Sequence, residues 1–225
     1  NQDYFILSKG HAVAPLAAQG GSENTGSGSS GGNGGSAAAD DAAGSSMAIQ
    51  PASDEAAATF AGGCFWCVEE AFDKHDGVLR TISGYTGGEL EDPSYQQVAS
   101  GNTDHAEAVR IIYDPDTITY AELLEVFWQN IDPLDAGGQF CDRGSQYRSA
   151  IFYHNEEQKR LATESKQELA SSDRFSKPIV TNVGQLSDFY AAETYHQNYY
   201  EKNPTRYKLY KEACGRAQRL KELWG

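Results

Sequence analysis

Gly62-Gly63-Cys64-Phe65-Trp66-Cys67-Val68-Glu69 is the stretch on which the reading of this chain turns. It follows the short apolar run Ala57–Ala61, which has the length and composition of a strand. Two glycines end that strand. Phe65, Val68 and Phe72 then recur at i, i+3 and i+7, the spacing of a helix running to Asp73. Cys64 thus opens a helix directly after a strand. Backbone N–H groups and the dipole at a helix N-terminus favour a thiolate over a thiol, and the thiolate is the nucleophilic form. Cys67 follows one turn later, within disulfide reach. The stretch reads as a reactive thiol with a resolving partner.

Outward from this turn, strand-like and helix-like stretches alternate. Val78–Tyr85 reads as a strand closed by Thr86-Gly87-Gly88, and Glu107–Tyr113 as another, ended by the turn signal Asp114-Pro115-Asp116. Thr119 is placed to N-cap a helix whose Leu123, Leu124, Phe127 and Trp128 form an apolar stripe. Ser149–Tyr153 is β-rich, and Asn155 caps a charged helix through Ser171. Ile179–Val183 is a further strand candidate. The tyrosine-dense end predicts short helices near Tyr195–Tyr200 and Thr205–Glu212. This pattern predicts an α+β fold, a mixed sheet with helices packed on it.

Composition bounds the rest. The chain has 225 residues, with 18 Lys+Arg against 32 Asp+Glu and a net charge of −14. That balance argues against gripping phosphate backbones, so no nucleic-acid partner is expected. No window reaches about 18 apolar residues, so no membrane span is expected. From Gly20 to Ser46 the chain is almost entirely Gly, Ser, Ala, Asn and Asp, which has nothing to bury against its ordering entropy. Residues 1–56 are read as a flexible extension or linker carrying −5, and 57–225 as one catalytic domain carrying −9. The patch Tyr4-Phe5-Ile6-Leu7 is too short for a secretory signal. Met47, the one methionine, falls in the extension.

Four cysteines are too few for a disulfide scaffold, so each is weighed separately. A zinc site built from four cysteines wants two close pairs, and only Cys64-x-x-Cys67 is one. A c-type haem attachment needs His where Val68 stands. A thioredoxin-like exchange domain is the serious rival, and a non-catalytic redox sensor is a third reading. Neither of these explains large apolar Phe65 and Trp66 between the cysteines, suited to walling a pocket. Nor does either explain Tyr95, the run Asp104-His105-Ala106-Glu107, or Cys141-Asp142-Arg143-Gly144-Ser145-Gln146-Tyr147-Arg148. A carboxylic acid with two phenols suits an enzyme that protonates and holds a developing oxyanion.

These residues carry a resemblance. Gly62-Gly63-Cys64-Phe65-Trp66, Ser83-Gly84-Tyr85-Thr86-Gly87-Gly88, Pro93-Ser94-Tyr95, His105-Ala106-Glu107-Ala108-Val109, Gln146-Tyr147-Arg148-Ser149-Ala150-Ile151 and Tyr195-His196-Gln197 stand in the order of the A-type peptide methionine sulfoxide reductases. The chain resembles that family from Ala57 to its end. The resemblance implies a two-layer α/β sandwich. It implies reduction of methionine-S-sulfoxide, free or in peptides, as repair of oxidative damage. It makes Cys64 the nucleophile, Glu107 the proton donor, and Tyr95 and Tyr147 the phenols on the sulfoxide oxygen. Asp142 becomes the carboxylate beside the site, and Phe65 and Trp66 the pocket for the S-methyl group. A structural pairing of Asp142 with Arg143 or Arg148 is the competing reading. His196 and Glu193 are expected to pack and hydrogen-bond rather than catalyse.

The chemistry constrains these roles. A sulfoxide oxygen leaves only when protonated, so Glu107 has to be neutral, and burial against aromatic rings raises its pKa. Reaction leaves Cys64 as a sulfenic acid, which a second thiol condenses to a disulfide. The family's common motif has Gly where Cys67 stands and often Asn at Cys141. Cys67 is expected to form the first disulfide, Cys214 to relay it, and Cys141 to be a free thiol. No metal, flavin or nicotinamide is expected, since no Gly-rich phosphate fingerprint follows a strand. Reducing equivalents are expected from thioredoxin or a similar dithiol protein. The chain is expected to be a cytoplasmic monomer, with a processed, tethered extracytoplasmic or organellar chain as the alternative.

Overall fold

A computed structural model describes residues 50–225, so Tyr4–Leu7, Gly20–Ser46 and Met47 lie outside the described residues. Six strands form one sheet: β1 (Ala56–Gly62), β2 (Val78–Thr86), β3 (Ala106–Tyr113), β6 (Ser149–Tyr153), β7 (Asn182–Gln185) and β8 (Phe189–Ala191). Their order is β7-β6-β1-β3-β2-β8. All neighbours are antiparallel except β6 and β7, so the sheet is mixed as expected. A two-stranded hairpin, β4 (Gly138–Gln139) and β5 (Asp142–Arg143), stands apart.

The helices pack on one face. These are α1 (Phe65–Asp73), α3 (Tyr120–Gln129) and α4 (Glu156–Ser171), each close to its expected bounds. The caps explain the agreement: Thr119 Oγ1 accepts the Glu122 N–H and Asn155 Oδ1 the Gln158 N–H. Between sheet and helices lies one core. Phe60 at its centre stacks with Phe72, Tyr120 and Phe127, with ring centroids 5.4, 6.0 and 5.0 Å away. On β3, Val109, Ile111 and Tyr113 join this core, while Ala106 and Ala108 face the other side with Phe152. Glu107 shares the pleat of Val109 and so points to the helix side.

Elements held mainly by tertiary contacts depart from expectation. The strand expected at Ile179–Val183 begins only at Asn182. Before it, the Val180 N–H is donated to the Pro133 carbonyl and the Thr181 carbonyl accepts Lys166 Nζ, so that backbone does not pair with β6. The helix near Tyr195–Tyr200 shrinks to α5 (Tyr199–Lys202), because Asn198 turns the chain with φ 52°. α6 (Pro204–Ala213) starts at its proline. The short α2 (Tyr95–Ala99), β8, the β4–β5 hairpin and α7 (Arg216–Trp224) were not foreseen. α7 is moored by buried Arg216, whose guanidinium donates to the carbonyls of Gly62 (3.3 Å) and Asn130 (2.6 Å).

Candidate active site

The glycine pair places Cys64. Gly63 sits at φ +84°, and a Cβ there would stand 2.5 Å from Cβ of Gln139. Only glycine fits both the left-handed turn and the close approach of the β4–β5 hairpin. The chain then enters α1 with Cys64 at the N-cap, and the N–H groups of Cys67 and Val68 return to the Cys64 carbonyl. The free Phe65 N–H at this helix start donates to Oε2 of Glu107 at 3.0 Å. β3 thus delivers its carboxyl to the residue next to the thiol.

Cys64, Phe65, Trp66, Tyr95, Glu107, Asp142, Tyr147 and Tyr210 line one cavity of about 90 Å³. Every residue expected to act on or receive the sulfoxide is in this wall, brought from α1, α2, β3, β5 and the 3-10 turn Ser145–Tyr147. Trp66 stacks on Tyr199 with centroids 3.8 Å apart and donates its indole N–H to Nδ1 of His196 at 3.1 Å. Glu193 accepts the Tyr95 N–H (2.8 Å) and the Tyr85 hydroxyl (2.9 Å). His196 and Glu193 therefore hold the wall, as expected. Tyr210 was missed. Its hydroxyl donates to Oδ2 of Asp142 at 2.5 Å, and the signal for it was the density of tyrosines just before Cys214. Arg143 pairs instead with Asp135, and Arg148 donates to the carbonyls of Ser145 and Asp104, so neither takes up the structural pairing with Asp142.

Burial sets the charges. Glu107 is 3% exposed, and burial pushes its carboxyl up to about 8, with the Phe65 N–H opposing and Asp142 and Cys67 adding to the rise. The same desolvation, with Glu107 next, lifts Tyr95 to about 12. Tyr147 and Tyr210 are also held protonated, mainly by burial. Burial raises Asp142, and the Tyr210 hydroxyl opposes it. Cys64 departs from the simple helix-terminus expectation. Burial and then its hydrogen bond to Cys67 hold its thiol up, while that same bond, together with Arg216, Tyr207 and Lys211, pulls Cys67 down.

The cysteine assignments need one correction. Cys141 is not a free thiol: it is bonded to Cys214, with their Cα atoms 4.9 Å apart. Cys141 sits in the turn between β4 and β5, and Cys214 caps α6, which Tyr210 brings against Asp142. Cys64 and Cys67 are the free, buried pair. Cys141, Asp142 and Cys214 lie within 4.8 Å of one another, but two sulfurs bonded to each other are not thiolate ligands.

The profile of the family described as peptide methionine sulfoxide reductase matches residues 56–225. The chain belongs to the peptide methionine sulfoxide reductase family. It is 56% identical over 168 residues to the peptide methionine sulfoxide reductase MsrA of Bacillus subtilis (strain 168), covering 75% of this chain and 95% of that one. It is 54% identical over 167 residues to MsrA of Ligilactobacillus salivarius (strain UCC118), covering 74% and 96%. Mxr1 of Saccharomyces cerevisiae in reduced form is a structural neighbour with TM-score 0.64 and 32% identity, covering 69% of this chain and 93% of that one. Methionine sulfoxide reductase A of Corynebacterium diphtheriae gives 0.61 and 30%, covering 68% and 77%. The α+β fold of the family is thereby shown. The chain is an oxidoreductase that reduces methionine sulfoxide with cysteine thiols. Among the described residues no helix is long and apolar enough to cross a membrane.

Proposed function

We propose that Cys64 attacks the sulfur of methionine-S-sulfoxide, free or peptide-bound, while Glu107 donates its proton to the sulfoxide oxygen. The observation that carries this is the carboxyl of Glu107, buried, raised to about 8 and bonded to the residue beside Cys64. Phe65 and Trp66 receive the S-methyl group, and the Tyr95 and Tyr147 hydroxyls hydrogen-bond the oxygen as its charge grows. Asp142, held by Tyr210, shapes the open side of the cavity.

The proton and electron count closes. Cys64 passes its thiol proton along its hydrogen bond to the Cys67 thiolate. The Cys64 thiolate forms a bond to the methionine sulfur as the Glu107 proton goes to oxygen; the hydroxyl then passes to the Cys64 sulfur while the S–O bond and the new S–S bond break. Methionine leaves and Cys64 becomes a sulfenic acid. The Cys67 thiol displaces water from it, giving a Cys64–Cys67 disulfide.

That disulfide is buried, with Cys64 6% and Cys67 4% exposed, whereas Cys141 is exposed. A dithiol protein meets the surface pair first. The Cys141 and Cys214 thiols, once reduced, take over the disulfide by exchange, and thioredoxin or a similar dithiol protein reduces it there. No bound cofactor enters this scheme. We read the residues before Gln50 as a linker outside the catalytic domain, on composition alone, and the enzyme as a cytoplasmic monomer. The test incubates the protein with S-methionine sulfoxide and dithiothreitol and measures methionine. Turnover that disappears in Cys64→Ser supports the reading, and turnover that survives that change overturns it.

A further inference from the structure

The sheet face turned away from α1, α3 and α4 carries a charge the reaction does not use. Arg110 lies on β3, three residues from Glu107, and the pleat sends it to the opposite side, where Ala106 and Ala108 lie. Only 6% of it is exposed. Its Nε is buried with no hydrogen-bond acceptor, and among the described residues no carboxylate pairs with its guanidinium. Its close companion is the Phe189 ring, whose centroid is 4.4 Å from Cζ. Burial pulls its pKa down to about 10, and no acid offsets that fall.

Acids line the neighbourhood, but none of the described ones forms an ion pair with Arg110. His154 is held neutral, because burial and then the Arg110 charge pull it to about 4, and its Nε2 meets Thr59 Oγ1 at 2.9 Å. Arg110 and His154 line a groove of about 970 Å³. Three acids line it: Glu55 is paired with Arg80, Glu157 with Arg160, and Asp188 makes no ion pair with Arg110. Buried charges are normally paired, because an uncompensated one is costly. A guanidinium presents a planar fork of donors, and that fork fits an oxoanion or a carboxylate with two parallel hydrogen bonds.

We propose that Arg110 anchors an anion-binding site in this groove, on the sheet face opposite the active site, taking a small oxoanion or a carboxylate. The occupant supplies the charge the buried fork lacks. The site is independent of the sulfoxide chemistry.

Thermal unfolding of the full chain tests it, with inorganic phosphate or acetate titrated at constant ionic strength against chloride. A saturable rise in Tm with either anion is expected, since a ligand that binds only the folded state stabilises it. Phosphate alone marks an oxoanion site, acetate alone a carboxylate site, and each supports the proposal. Arg110→Gln should abolish the rise. Arg110→Lys, which keeps the charge and loses the fork, should weaken the anion about tenfold; it serves if the Gln variant does not fold. No saturable rise with either anion, a rise that persists in Arg110→Gln, or unchanged affinity in Arg110→Lys overturns the proposal.

Discussion

The carboxyl of Glu107 keeps its proton at neutral pH because the folded chain desolvates it, and that has two consequences. The first is kinetic: kcat/KM should fall as pH rises through about 8, as the acid is lost. Glu107→Gln should slow the chemical step by roughly a hundred- to ten-thousand-fold, the usual weight of a positioned acid. Alkylation of Cys64 should continue in that variant; unchanged turnover would remove Glu107 from its role. The second is thermodynamic. The folded pKa lies above the ordinary 4.5, so between about 4.5 and 8 the folded state holds a proton that the unfolded state has lost. The stability Glu107 contributes is complete below 4.5 and declines as pH rises through 8. Denaturant unfolding at pH 6 and pH 9 should therefore show a smaller drop in Glu107→Gln than in the unchanged chain, by on the order of a few kcal/mol. At this scale the motifs around Cys64, Tyr95, Glu107 and Tyr147 were legible in order along the chain. Tyr210 was not. It reaches the site from a tail where many tyrosines look alike, and only the approach of α6 to Asp142 distinguishes it.

The elements that hold the site differ in how they are specified. α1, α3 and α4 were legible because periodicity and the residues at their N-termini, including the caps of α3 and α4, act locally. The β4–β5 hairpin and α7 were not, since they are held from a distance: Gln139 against Gly63, and Arg216 on the carbonyls of Gly62 and Asn130. Gly63→Ala tests this. A Cβ in left-handed backbone, 2.5 Å from Gln139, should cost about 1–3 kcal/mol in denaturant unfolding and lower activity with it. A neutral effect would show that the hairpin yields freely. Cys141 was misread for the same reason. It and Cys214 are separated by 73 residues, and only the hairpin turn and the end of α6 bring them together. A fully reduced chain should release two methionines without added reductant if Cys141 and Cys214 accept the disulfide, and end with those two bonded. One methionine, with both still thiols, would separate the surface pair from catalysis.

Across the whole molecule, family membership covers 56–225. Arg80 ties the edge of that span, donating to the Gln50 carbonyl and to both oxygens of Glu55. A chain beginning at Gln50 should keep the Tm and turnover of the full chain. One beginning at Ala56 loses the Glu55–Arg80 ion pair and should melt slightly lower with turnover retained. Equal loss of activity in both would mean that residues before Gln50 contribute to the reaction.

The most direct test of the thiol chemistry is a single turnover. Protein with Cys141–Cys214 intact and Cys64 and Cys67 reduced is mixed with S-methionine sulfoxide, without reductant. Methionine is then counted and the disulfides mapped. One methionine per chain together with a Cys64–Cys67 bond is the predicted result. No methionine, or a new disulfide that omits Cys64, would contradict it.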